Sequence, residues 1–108
     1  MEKWILVVRV NCSDRLREDE FNDWYSNVHV PDLLEIPGFV SAIRYVNPDL
    51  SAWESGKYVT IYNIETDNIQ NVSDAMAIAF PKWNEQGRLK SDLLILVSMI
   101  FYKQIVAK

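Results

Sequence analysis

The segment from Leu93 to Tyr102, LLILVSMIFY, is apolar at every position except Ser98. Leu93, Ile95, Val97, Met99 and Phe101 occupy one parity of an extended chain, and Leu94, Leu96, Ile100 and Tyr102 the other. A strand with one face in water alternates apolar and polar residues, so this one needs cover on both faces. The first strand carries the same message, with Trp4, Leu6, Val8 and Val10 on one face and Ile5 and Val7 on the other. Helices of the same chain can cover one face only, and a second copy of the sheet is the economical cover for the other.

The rest of the pattern says what the helices are. Lys3 to Asn11 reads as a strand; Ser13 or Asp14 is placed to cap a helix, and Glu18-Asp19-Glu20 follow where the helix dipole favours negative charge. Phe21, Trp24, Tyr25 and Val28 recur at helical spacing. Pro31 disfavours helical backbone at Val30, which predicts a break or kink there, a short restart from Asp32 to Ile36, and an end at Pro37-Gly38. Phe39 to Asn47 and Lys57 to Glu65 read as strands around a loop from Pro48 to Gly56, with Trp53 at a loop tip or interface. A second helix is expected from about Asp67 to Phe80, interrupted by Pro81, and a last strand from Leu93 to Ala107.

Strand, helix, strand, strand, helix, strand is the split βαβ order. It predicts an α+β, ferredoxin-like βαββαβ fold with a four-stranded antiparallel sheet and two helices on one face. At 108 residues the chain reads as one domain, residues 1–108, able to bury about 60% of its unfolded surface.

Composition narrows the function. A net charge of −4 with no basic block argues against nucleic acid as a partner. The longest apolar stretch is half of what a membrane-spanning helix needs, and the run after Met1-Glu2-Lys3 ends at Arg9 without a cleavage site, so a cytoplasmic protein that does not span a membrane is expected. One cysteine, Cys12, and one histidine, His29, make neither an internal disulfide nor a zinc cage of the usual ligands, and no metal is expected. Three glycines leave no room for a phosphate-binding loop, and no nucleophile elbow is present.

His29 is the residue to explain. In a regular helix it follows Tyr25 by one turn and lies at the edge of the apolar stripe, partly wet, where a cavity between helix and sheet would open. A neutral imidazole can accept a proton at neutral pH, and Asp32 could orient it. The bland reading has equal standing: a histidine before proline that closes the turn by donating to a free carbonyl. Tyr25 is either a hydrogen-bond donor to a carbonyl or core; Trp24 belongs to the same aromatic stripe. Trp83 either walls a cavity or plugs the end of the core, and the sequence does not say which strand face carries Tyr45.

The stretch EFNDWYSNVHVPDLLEIPGFVSAIRY, Glu20 to Tyr45, resembles the first-helix motif of the EthD-like proteins of the dimeric α+β barrel superfamily. The shared features are an acidic and aromatic helix start, a Trp-Tyr pair, a His followed by a Pro, and a Pro-Gly-Phe turn into a strand ending in Arg-Tyr. The resemblance implies a homodimer whose sheets pair into a barrel. It implies a small apolar or aromatic ligand and cofactor-free chemistry on aromatic, polyketide or lactone-type molecules, with His29 and Tyr25 as catalytic residues and Trp24, Asp32, Tyr45 and Trp83 around the substrate. The reaction would be that of a cyclase, dehydratase, isomerase or monooxygenase. Related haem-degrading enzymes keep a histidine on the second helix, which this chain lacks, so haem is not expected. A non-catalytic dimeric ligand-binding or stress-response protein is the alternative.

Overall fold

The computed structural model describes the backbone of residues 1–108 and all side chains except those of Leu50 and Ala52. Strand β1 spans Glu2–Cys12, β2 Phe39–Val46, β3 Tyr58–Thr66 and β4 Leu94–Lys103. They form one antiparallel sheet in the order β2-β3-β1-β4. The last strand stops at Lys103, four residues short of the expected Ala107, where the Gln104 N–H donates to the Lys3 carbonyl at 2.8 Å.

The sheet carries its helices on one face. Leu6, Val8, Val10 and Cys12 of β1 and Tyr58, Tyr62 and Ile64 of β3 are buried under them. The molecule is 19 Å across its thinnest dimension, room for two layers and no third. Ile43, Ile95, Ile100 and Tyr102 consequently remain 40–53% exposed on the opposite side of the sheet. Between Arg9 and Val10 the β1–β4 register slips by one residue, so Leu94, Leu96, Met99 and Phe101 share the helix side with β1's buried residues.

Neither Pro31 nor Pro81 ends its helical segment outright. The first helical segment does not break at Val30: α1 (Glu18–Trp24) runs into a π-helical turn, Tyr25–His29, and then α2 (Val30–Leu34), with Val30 itself helical at φ −60°, ψ −49°. The Val30 N–H donates to the Tyr25 carbonyl five residues back, and that wider turn accommodates Pro31, which has no N–H to give. Helix α3, Ile69–Glu85, likewise continues through Pro81 for another turn and carries Trp83 within it. Asn68 caps its start, accepting from the Gln70 N–H at 2.9 Å. Asp14 caps a short 3₁₀ turn, Arg15–Arg17, ahead of α1.

The loop expected between β2 and β3 contains a 3₁₀ turn, Leu50–Ser55. Trp53 is partly buried there under the Arg15 guanidinium, and its carbonyl accepts from Asn11 Nδ2 at 2.6 Å. Gly56 closes the turn at φ 94°, where a Cβ would stand 2.8 Å from the Cβ of Arg9.

Candidate functional site

A cavity of about 230 Å³ lies between the helices and the β4 side of the sheet. Val8 and Val10 of β1 with Leu94, Leu96 and Met99 of β4 make its floor, Tyr25, His29 and Leu33 one wall, and Tyr62 and Phe80 complete it. Leu96 and Met99, on the helix side of β4, stay 54% and 43% exposed at the mouth.

The π turn sets the wall. In an α-helix, residues four apart differ by about 40° around the axis. The wider π turn leaves His29 short of a full turn from Tyr25 instead of past it, and both rings are buried in the core. His29 is 5% exposed, a correction to the partly wet ring expected from a regular helix. Its ring stacks on Trp24 (centroids 4.9 Å apart, planes at 24°), meets Tyr25 edge-on at 4.9 Å, and touches Phe80 at 6.1 Å and Trp83 at 6.3 Å. The Nδ1 atom is buried without a hydrogen-bond partner, so the ring does not close the turn through that nitrogen. Burial lowers the imidazole pKa from the usual 6.5 to about 4; the Asp32 carboxylate works against this fall and Arg44 adds to it. His29 is therefore neutral at neutral pH.

Asp32 does not orient His29 by a hydrogen bond. Its carboxylate accepts two bonds from Arg88, Nε at 2.7 Å and Nη2 at 2.9 Å. The Arg88 carbonyl in turn accepts from Trp24 Nε1 at 2.8 Å, so one residue after α3 holds both the indole behind His29 and the acid below it. Trp24, Trp83 and Asp32 thus stand behind the imidazole instead of lining the cavity. Tyr45 is elsewhere: it pairs with Val59 on the other face of the sheet and is half exposed, because strand parity puts Arg44, not Tyr45, on the helix side.

Residues that the sequence did not single out complete the polar end. Tyr62 lines the cavity, and Thr60 is its next neighbour on the same face of β3. Both hydroxyls are near enough to Tyr25 to influence its ionisation, yet Thr60 Oγ1 and Tyr62 Oη are buried outside hydrogen-bonding geometry. Burial pushes the Tyr25 and Tyr62 phenols above their usual pKa, which leaves both protonated and able to donate. The guanidinium of Arg44 lies over the Tyr25 ring, 4.3 Å from its centroid. The only hint of this in the sequence was the spacing of Tyr58, Thr60 and Tyr62 on one parity; which partner strand they met required the register.

Among the described residues no three His, Cys, Asp or Glu side chains converge as metal ligands, and no helix is long and apolar enough to cross a membrane. Cys12 is buried with its thiol donating to the Asp14 carbonyl at 3.2 Å.

No family model and no curated protein matches the sequence. Solved structures do match its fold. HapK from Hahella chejuensis aligns with a TM-score of 0.71 at 15% identity, over 97% of this chain and 95% of that one. A dimeric ferredoxin-like protein from an uncultured marine organism gives 0.64 at 9% identity, covering 100% and 98%. A member of the ethyl tert-butyl ether D (EthD) family from Bacillus halodurans gives 0.59 at 16% identity, covering 97% and 100%. At such identities the likeness establishes architecture, and it agrees with the element order, the strand order and the one-sided helix layer. The chain has the ferredoxin-like fold that the EthD family protein and the dimeric ferredoxin-like protein share with it.

Proposed function

We propose that this chain is a cofactor-independent enzyme that moves a proton on a small, mostly apolar carbonyl or phenol compound. His29 accepts the proton from an acidic C–H or O–H and returns it to the product or to solvent. Tyr25 donates a hydrogen bond to the substrate oxygen on which negative charge develops. One observation carries the reading: a neutral imidazole whose Nδ1 has no hydrogen-bond partner stands in the wall of an apolar cavity, beside a phenol held in its protonated form. The low pKa makes His29 a weak base in the empty site. Proton transfer to it therefore depends on stabilising the anion left behind.

The active form is proposed to be a homodimer joined through the exposed sheet face, as the EthD-like fold and the unpaired apolar residues of that face both suggest. Such an interface should bury more than about 1,000 Å² in total.

The test is solvent deuterium incorporation into small 1,3-dicarbonyl and phenolic compounds, followed by NMR with the wild-type protein and His29→Gln. The amide fills similar space but carries no proton at neutral pH. The expected result is exchange with the wild type and a fall of about 10²-fold or more in the variant. Equal rates in the two would remove His29 as the base. The competing reading, a ligand-binding protein without turnover, is favoured by the almost wholly apolar floor and would show tight binding of the same compounds with no exchange in either protein.

A further inference from the structure

Arg44 lies on the helix side of β2, opposite Thr60 of β3, and among the described residues it has no carboxylate within ion-pairing distance. Two neutral acceptors hold its head: Nη1 donates to Ser26 Oγ at 2.9 Å and Nη2 to Asn22 Oδ1 at 3.1 Å. They keep the guanidinium over Tyr25 and 5.4 Å from the centroid of Tyr58, while its Nε is buried with no partner. Among the described residues, the buried side-chain polar atoms without a hydrogen bond are Arg44 Nε, Thr60 Oγ1, Tyr62 Oη and His29 Nδ1. All four belong to residues in contact with or electrostatically coupled to Tyr25.

Folded proteins leave few such atoms unpaired, and each one costs stability unless something occupies it. Two of the four residues, His29 and Tyr62, line the cavity, while Thr60 and Arg44 lie outside its lining. Free hydroxyl and phenol groups at the cavity, backed through the Tyr25 ring by a cation with only neutral partners, favour a negatively charged atom that the chain does not supply. Two carboxylates of the surrounding helices are already committed. Glu18 accepts from Lys57 Nζ at 2.8 Å and from the Tyr58 hydroxyl at 3.0 Å, and Asp32 is held by Arg88.

We propose that Arg44 is a positioning residue which, acting through the Tyr25 ring and hydroxyl, makes the polar end of the cavity select the anion of an acidic phenol or 1,3-dicarbonyl compound. This rests on the cavity being the ligand site, as in the proposed function, but not on His29 being a base. The Tyr25 and Tyr62 hydroxyls donate to the ligand oxygen, and the proton that the ligand loses passes to solvent. Cationic ligands are rejected, and neutral aromatic compounds bind without the charge-dependent gain.

The probe is p-nitrophenol, whose phenol and phenolate absorb differently. Its bound form is titrated across neutral pH with the wild-type protein, Arg44→Met, Arg44→Lys, Tyr25→Phe and His29→Gln. The charged or titratable groups facing the site are Arg44, His29, Tyr25, Tyr58 and Tyr62, with the Lys57–Glu18 and Arg88–Asp32 pairs behind them; His29 stays neutral over this range. Relative to Arg44→Met, the wild type should hold about tenfold more of the bound dye as phenolate. Arg44→Lys should recover part of that, and His29→Gln should retain it. If Arg44→Met does not fold, Tyr25→Phe carries the comparison, because removing the hydroxyl should move the bound dye in the same direction. The same phenolate fraction in the wild type and the folded variants would overturn the proposal, as would failure of the wild type to bind the dye at millimolar concentration. A retained phenolate preference in His29→Gln with unchanged proton exchange would reject the base and leave Arg44's role standing.

Discussion

The indole of Trp24 lies nearly flat on the imidazole of His29, with centroids 4.9 Å and planes 24° apart, and its own N–H is fixed to the Arg88 carbonyl. The histidine therefore cannot swing outward to meet water without giving up this stack. It must either stay neutral or become charged inside a shell of aromatic rings.

That choice is visible in stability against pH. Folded His29 titrates near 4, and its unfolded counterpart near 6.5. Above 6.5 both states are neutral and the group contributes no pH dependence. As pH falls from 6.5 toward 4 the unfolded chain takes up the proton and the folded one does not, so stability is lost across that window, by about 3 kcal/mol at most. Attraction between an imidazolium and the Trp24 face reduces the loss. Urea unfolding at several pH values should show this slope, and His29→Phe, in a chain with no other histidine, should flatten it.

His29→Ala should be costly in its own right. It removes a ring packed against four aromatic neighbours and leaves a hole, a loss of about 2 kcal/mol or more in unfolding free energy. His29→Phe should be at least as stable as the wild type, because it keeps the ring and removes an unpaired buried nitrogen. Thermal melts of the two variants give opposite signs if the imidazole is kept for function at the expense of stability.

The two faces of β4 separate by mutation. Ile100 faces away from the helices, opposite Val7, whereas Leu96 stands at the cavity mouth. In light scattering at micromolar concentration, Ile100→Asp should give a folded monomer of 12.6 kDa and Leu96→Asp should stay dimeric while losing dye binding. A wild-type monomer would end the dimer reading.

Gly56→Ala should destabilise the fold by about 1–3 kcal/mol through its positive φ, quite apart from the contact with Arg9. Denaturant midpoints measure this, and Gly87→Ala is the control for strain without a clash, since a Cβ there meets nothing within 4 Å.

Element order and strand parity were legible because each depends on a few neighbouring residues. Leu6, Val8 and Val10 alternate into the core as a half-covered strand requires, and Glu18 to Glu20 fall in the first turn of α1. The site was less legible because its parts meet through register. Nothing near Arg44 in the sequence says that it will face Thr60 and cover Tyr25, or that Arg88 will take Asp32 away from His29. Neither Pro31 nor Pro81 ends its helix, for a related reason: the proline rule concerns one missing N–H, and a widened turn or a well-packed helix can absorb that deficit.

A π turn is what one extra residue in an α-helix looks like. A helix absorbs such a residue inside one widened turn, so the segments on either side keep their facing. Deleting Asn27 should therefore relax Tyr25–His29 to ordinary helix while Leu33 stays in the core and Asp32 keeps Arg88; what it removes is the local widening between the Tyr25 carbonyl and the Val30 N–H. The turn is thus a place where the chain can gain or lose one residue without rearranging the fold around it.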